Sequence, residues 1–356
     1  MPDQRELTGE IQGETGGKKS GTVALVGRPN AGKSTLMNQL LEEKLAIVSD
    51  KPQTTRHRIV GILSGERGQM VFFDTPGVHK PLHRLNRQMV RYAMDSLNDA
   101  DVVCLLVDAS QSFGAGDAYM LEVIARASEP RILVLNKIDR VKDKAKLLPL
   151  IERYAKTGLF AEIVPLSARS GDGTGRLLDL LWDRLGEGEP MFDPELLTTH
   201  PERFLVAERI REKVLELTTD ELPFSTAVKI ERWEDEEERP LTRIHATILV
   251  DRHGQKKIVV GNQGKMIKAI GTAARLDLEE YLGRRIFLEL YVRVEEGWRE
   301  DRAVLASLDR DVEVEMRDAA PVGLDDLDEP DDLDDPDDPD DLDDLDAEDE
   351  DSEEPA

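Results

Sequence analysis

Gly27, Arg28, Pro29, Asn30, Ala31, Gly32, Lys33 and Ser34 have the spacing of a phosphate-binding loop, glycines at the first and sixth positions and a lysine and a hydroxyl behind them. An apolar run at residues 22–26 precedes the loop and a helical pattern beginning around Thr35 follows it. In that setting backbone N–H groups can surround phosphate oxygens, and the helix N-terminus adds positive potential. Lys33 would reach the terminal phosphates and Ser34 would ligate magnesium.

Three further motifs select the nucleotide. Asp74, Thr75, Pro76 and Gly77 close the apolar run at residues 69–73, so Asp74 can hold magnesium through water while the Gly77 N–H senses the terminal phosphate. Asn136, Lys137, Ile138 and Asp139 close the run ending at Leu135. An aspartate in that place accepts from both N1–H and the 2-amino group of guanine, a donor pair adenine lacks. Ser167, Ala168 and Arg169 follow the next run and offer backbone N–H to the guanine carbonyl. Each tetrapeptide alone is a weak signal, but all four in this order at strand ends specify a guanine nucleotide. A P-loop protein serving ATP would not need Asn136 to Asp139.

Positioning these groups requires strands that end on one side of a sheet. Apolar runs recur at residues 22–26, 69–73, 102–107, 131–135 and 162–166, separated by amphipathic stretches of ten or more residues. This alternation predicts an α/β domain over residues 21–186, a mostly parallel sheet with helices on both faces and ligands at the carboxyl ends of its strands. Residues 1–20 are polar and Gly-rich and read as a disordered leader; residues 187–200 read as a linker. The single cysteine, Cys104, excludes an intramolecular disulfide and lies in an apolar run, as a buried small hydrophobe would. No stretch reaches the length of a membrane span, so a cytoplasmic location is expected.

A second unit, α+β, is predicted over residues 201–308. Phe204, Ile210, Val214 and Leu217 recur at helical spacing, and three alternating stretches follow at 226–230, 244–250 and 286–294. Between the second and third stands Gly261, Asn262, Gln263, Gly264, flanked by helical patterns. Such a glycine-framed loop can approach a nucleic-acid backbone closely, and this order of elements is that of a type II KH domain. From Arg252 to Arg285 eight basic residues stand against three acidic ones, among them the candidate RNA contacts Lys256, Lys257, Lys265, Lys268 and Arg285. The chain's net charge of −27 does not oppose this, because residues 324–356 carry 21 acidic side chains and no basic ones. Residues 309–356 are read as an acidic tail unable to bury a core.

Residues 21–185 resemble the translation-factor-like GTPases, and residues 21–308, with Pro52-Gln-Thr-Thr-Arg-His-Arg58, Glu221-Leu-Pro-Phe224 and Gly254-Gln-Lys-Lys257, resemble the Era family of bacterial GTPases. The resemblance implies a switch threonine that binds magnesium in the GTP state, with Thr55 favoured over Thr54. It also implies a catalytic set of Lys33, Thr55, Gly77 and Asn30, the last as a ligand for potassium beside the phosphates. Val78 occupies the place of the water-orienting glutamine of other GTPases, which implies slow intrinsic hydrolysis. The implied partners are GTP and GDP, small-subunit ribosomal RNA near its 3′ end and the 30S subunit, with peripheral membrane association and a monomeric chain. A tRNA-modification GTPase would need an appended cofactor domain, and none is found. A non-enzymatic RNA chaperone is opposed by the intact Lys33, Ser34, Asp74 and Asp139.

Overall fold

The structure, a computed structural model, describes residues 17–49, 51, 54–78, 84–127, 130–218, 222, 225–236 and 240–313, with side chains described to residue 308. Most of the expected leader, the tail from 314 onward, and the motif residues Pro52, Gln53, Glu221, Pro223 and Phe224 lie outside them.

The first half contains β1 (Lys19–Gly27), α1 (Lys33–Leu41), β2 (Ile59–Gly65), β3 (Gly68–Asp74), α2 (Arg84–Asn98), β4 (Val102–Asp108), α3 (Ala115–Ala125), β5 (Arg131–Asn136), α4 (Leu147–Ala155), β6 (Glu162–Pro165) and α5 (Thr174–Arg184). The strands form one sheet in the order β2-β3-β1-β4-β5-β6, parallel except for β2 against β3. Strand periodicity divides the core in two. Val23 and Leu25 pack with Leu36, Met37 and Leu40 of α1 and Leu177 and Leu181 of α5, whereas Ala24 and Val26 pack with Ala93 and Leu97 of α2 and Met120 and Ile124 of α3. Each of these buried Val, Leu, Ile and Met side chains contributes roughly 1.5–3 kcal/mol. Cys104 lies fully buried in the first of these layers, and burial pushes its thiol up to about 12, which leaves it inert. Because β1, β3, β5 and β6 run parallel, their carboxyl ends bring Gly27, Asp74, Asn136 and Pro165 to one edge.

Two boundaries differ from expectation. β1 begins at Lys19, inside the expected leader, because Lys19 and Ser20 pair with Gly68 and Gln69. Residues 187–200 do not hang free as a linker. β2 and β3 expose Val60, Ile62, Val71 and Phe73 on one face, and Met191, Phe192 and Leu196 cover them. Backbone and side-chain bonds fix this cover: Ile62 N–H to the Leu197 carbonyl at 2.8 Å and Val60 N–H to His200 Nε2 at 3.0 Å.

The second half contains α6 (Glu202–Leu217), β7 (Thr226–Glu236), β8 (Leu241–Val250), α7 (His253–Val260), α8 (Lys265–Leu282), β9 (Arg285–Val294) and a further helix, α9 (Arg302–Glu313). β8 pairs antiparallel with β7 and parallel with β9, in the order β7-β8-β9. Ile210 and Val214 of α6, Val259 of α7 and Ile270, Ala274 and Leu278 of α8 close one face over Val228, Ile244, Ala246 and Ile248. On the other face Ala227 and Leu249 are covered by Leu85 and Met89 of α2, with Trp298 and Leu305. The helix following the Asp74 motif therefore packs directly on the second sheet. Among the described residues no helix is long and apolar enough to cross a membrane.

Candidate functional site

The loop between β1 and α1 is held in shape from three sides. Asn136 Nδ2 donates to the Ala31 carbonyl at 2.8 Å and Lys137 Nζ donates to the Asn30 carbonyl at 2.5 Å. Lys137 is itself held by Asp108 at 2.9 Å, a residue the motifs did not single out. Burial alone would raise the Asp108 carboxyl, but bonds from Ser110 and Lys137 bring it below its ordinary value. Arg28 turns its guanidinium away to Asp117 of α3 at 3.0 Å, so within the loop it can serve a phosphate only through its backbone. On the third side Gly77 meets the loop so closely that an added Cβ would lie 2.6 Å from Pro29 N, which is why no side chain is tolerated there.

Lys33 is buried, and its amine donates to the Gly27 and Arg28 carbonyls at 3.2 Å each. Burial lowers its pKa to about 8, opposed by the nearby Asp74. Ser34 Oγ donates to Asp74 Oδ2 at 2.6 Å and lies 2.9 Å from Thr55 Oγ1, which is 3.4 Å from the same carboxylate oxygen. Thr54 instead turns its hydroxyl to the Lys51 carbonyl at 2.8 Å. Asp74 is fully buried, its Oδ1 has no partner among the described residues, and burial lifts its pKa to about 6 against the pull of Lys33. Two hydroxyls and a buried carboxylate with a free oxygen are the donor set of a hard divalent cation. Val78, by contrast, is buried in the core layer beside Ala24 and Val26, where it cannot touch a reacting water. Thr75 spends its hydroxyl on the Leu25 carbonyl at 2.8 Å and anchors the motif rather than lining the cradle; Pro76 separates it from Gly77.

Asp139 and Ser167, both expected to meet the base, are brought together, and Ser167 Oγ donates to Asp139 Oδ1 at 2.7 Å. That bond orients the carboxylate and leaves its other oxygen for a ligand. The Ala168 N–H donates to Asn136 Oδ1 at 2.9 Å, a bond a guanine carbonyl would share or displace, and Arg169 is exposed. Thr35, at the start of α1, lines the same cleft as Ser34, Thr54 and Thr55.

In the second half α7 ends in Gly261 (φ 70°), the loop passes through Gln263 (φ 51°), and α8 starts behind Gly264 (φ 74°). Gln255 caps α7 by accepting from the Asp251 and Arg252 N–H groups at 2.9 and 3.0 Å, so it is structural. Asn262, Gln263, Lys256, Lys257, Lys265 and Lys268 are all exposed around the loop. Arg285 does not join them. It follows the far end of α8, whose 18 residues span about 27 Å at 1.5 Å per residue.

A family model described as a 50S ribosome-binding GTPase matches residues 22–137, and a KH domain model matches residues 221–299. GTPase Era of Syntrophus aciditrophicus is 47% identical over 287 residues, 81% of this chain and 94% of its own length. GTPase Era of Trichlorobacter lovleyi is 48% identical over 290 residues, 82% of this chain and 97% of its own. Among solved structures, Era in complex with MgGDPNP and nucleotides 1506–1542 of 16S ribosomal RNA is 39% identical, with a TM-score of 0.79 over 82% of this chain and 98% of that one. A variant of Aquifex aeolicus Era bound to GDP.AlF4− gives the same values. With a P-loop GTPase domain of mostly parallel strands and a KH domain behind it, the chain belongs to the Era family of GTPases and hydrolyses GTP.

Proposed function

We propose that this GTPase is a magnesium-dependent switch that binds small-subunit ribosomal RNA near its 3′ end and assists assembly of the 30S subunit in the cytoplasm. The observation that carries the reading is the convergence of Ser34, Thr55 and Asp74 beside the phosphate loop, in a chain whose second half presents an exposed Gly-Asn-Gln-Gly loop ringed by lysines. The related Era structure with MgGDPNP and a 16S ribosomal RNA segment supports both ligands.

Ser34 and Thr55 would hold Mg2+ directly and Asp74 through water; the ion, when bound, neutralises charge on the phosphates. Lys33 and the backbone N–H groups of residues 30–34 bind and orient the phosphates, the Gly77 N–H reports the terminal one, and Asp139 reads the base. Since Val78 is buried, charge compensation at the loop carries more of the rate, and Asn30 would hold a potassium ion there. Any membrane association is peripheral, and the chain acts as a monomer.

Sequencing RNA crosslinked to the protein in cells tests the reading. The expected result is enrichment at the 3′ end of the small-subunit ribosomal RNA. Enrichment of transfer RNA or of unrelated messages would overturn it.

A further inference from the structure

The stretch that carries Thr55 lies between α1 and β2 and has no regular secondary structure of its own among its described residues. Something outside it must hold Thr55 against Ser34, because an unsupported loop loses its place to backbone entropy. The contacts that do so come from α6, more than 150 residues later in the chain. Arg211 Nη2 donates to the carbonyl of Thr54, the residue before Thr55. Glu212 Oε1 accepts from the Val48 N–H at 2.9 Å, and its Oε2 accepts from Lys44 Nζ at 2.6 Å. Arg209 Nη2 donates to the Lys44 carbonyl at 2.6 Å. One helix thus grips the stretch at Lys44, Val48 and Thr54.

The gripping groups are themselves fixed. Arg211 is 1% exposed, and Glu208 takes its Nε at 2.7 Å and its Nη2 at 2.5 Å, the paired geometry that locks a guanidinium in one plane. Glu212 is 2% exposed. Asp277 of α8 accepts from Lys44 at 2.9 Å and from Arg209 at 2.9 Å, so the anchor extends to the helix that begins at the RNA loop. Residues buried to this degree and bonded to loop backbone do not act as surface ion pairs.

We infer that Arg211 and Glu212, on the first helix of the KH half, are positioning residues for GTP hydrolysis: they hold the backbone on either side of the loop so that the Thr55 hydroxyl meets Ser34 and Asp74. The inference rests on Thr55 being the magnesium-binding switch threonine. Neither residue touches the nucleotide cradle; both act through Thr55. Removing either releases the stretch, so the cost falls on the GTP state that needs Thr55 and leaves binding of GDP, which uses the phosphate loop and Asp139.

The test compares full-length Arg211→Met, Glu212→Gln, Thr55→Ala and the Arg211→Met/Thr55→Ala pair, reading kcat, the Mg2+ concentration at half-maximal rate, and GDP affinity. Arg211→Met and Glu212→Gln should each lower kcat roughly tenfold, as expected for a buried charge-assisted bond, and raise the Mg2+ midpoint, with GDP affinity within about twofold. The pair should be no slower than Thr55→Ala alone, since effects carried through one group do not add. If Arg211→Met fails to bind GDP, the isosteric Glu212→Gln carries the test. Thr55→Ala with unchanged kcat and Mg2+ midpoint overturns the reading of Thr55 itself. Thr55→Ala that is slow, beside α6 variants with ordinary kcat and Mg2+ midpoint, overturns the inference alone, as does a pair whose defects multiply.

Discussion

The chain carries two glycine-framed loops, each opening a helix, each with one non-glycine residue in left-handed backbone: Asn30 (φ 62°) in the first and Gln263 (φ 51°) in the second. Their surroundings separate them. The first is enclosed where several strand ends converge, with Asn136 and Lys137 bonded to its carbonyls and Pro29 against Gly77. The second projects between α7 and α8 with Asn262, Gln263, Lys265 and Lys268 exposed. A site for a small nucleotide must wrap its ligand, and the closed sheet edge supplies the walls. A site for a polymer must leave both ends of the strand free, so an open turn with exposed lysines suffices. The same local backbone device becomes selective in one place and permissive in the other through tertiary context.

Breaking the selective loop should have the larger effect. On the proposed reading of the base, Asp139→Asn loses a carboxylate able to accept two guanine donors, and the replacement amide sets a donor against a donor. With each charge-assisted bond contributing roughly 1.5–3 kcal/mol, GTP affinity should fall by at least about 100-fold. Xanthosine triphosphate, whose 2-oxo group accepts, should gain. Competition binding with the two nucleotides measures this, and unchanged GTP affinity would place the base elsewhere.

Breaking the permissive loop calls for charge rather than shape. Asn262→Asp with Gln263→Asp puts two carboxylates where backbone phosphates must come, and RNA affinity should drop by about 10- to 100-fold at 0.1 M salt. Hydrolysis without RNA should survive, because nothing in the cradle changes. Undiminished RNA binding would show that the loop is not the contact. A smaller effect distinguishes the loops by ion. If Asn30 holds a monovalent cation beside the phosphates, hydrolysis should run several-fold faster in potassium than in sodium at equal ionic strength, roughly 1 kcal/mol of barrier. RNA affinity should not discriminate the two salts, and equal hydrolysis rates would remove the potassium role.

The nucleotide motifs were legible because strands buried on both faces read as continuous apolar runs, so their ends, where Asp74, Asn136 and Ser167 sit, stand out. Alternation likewise marked the three strands of the second sheet. The contacts of α6 were not legible. Its sequence shows an apolar stripe through Phe204, Ile210 and Val214, with Arg211 on that stripe by spacing and Arg209 and Glu212 off it, but nothing in the spacing says what these charges meet, and all three are under 9% exposed. Their burial depends on partners such as Thr54 and Lys44, more than 150 positions away, and no local period reports that. The covering role of residues 187–200 was hidden for the same reason: Gly, Pro and acidic residues mark irregular backbone without saying what it lies on. Arg285 was grouped with the loop by composition, which counts charges along the chain but not the length of the helix between them.

That last separation yields the finest comparison. Lys265 is the first residue of α8 and Arg285 follows its last turn, so a short RNA clamped by the loop should feel only one of them. With a tetranucleotide, the length such a loop clamps, Lys265→Gln should weaken binding and make the slope of log K against log salt shallower by about 0.7, the share of one single-strand phosphate contact. Arg285→Gln should leave both affinity and slope unchanged on the tetranucleotide and lower them only on a longer RNA that reaches the far end of α8. Titrations of the two variants against short and long RNA at several salt concentrations decide between the alternatives. Equal losses from both variants on the tetranucleotide would mean that the basic surface acts as one continuous field rather than as a loop site with a separate distal contact.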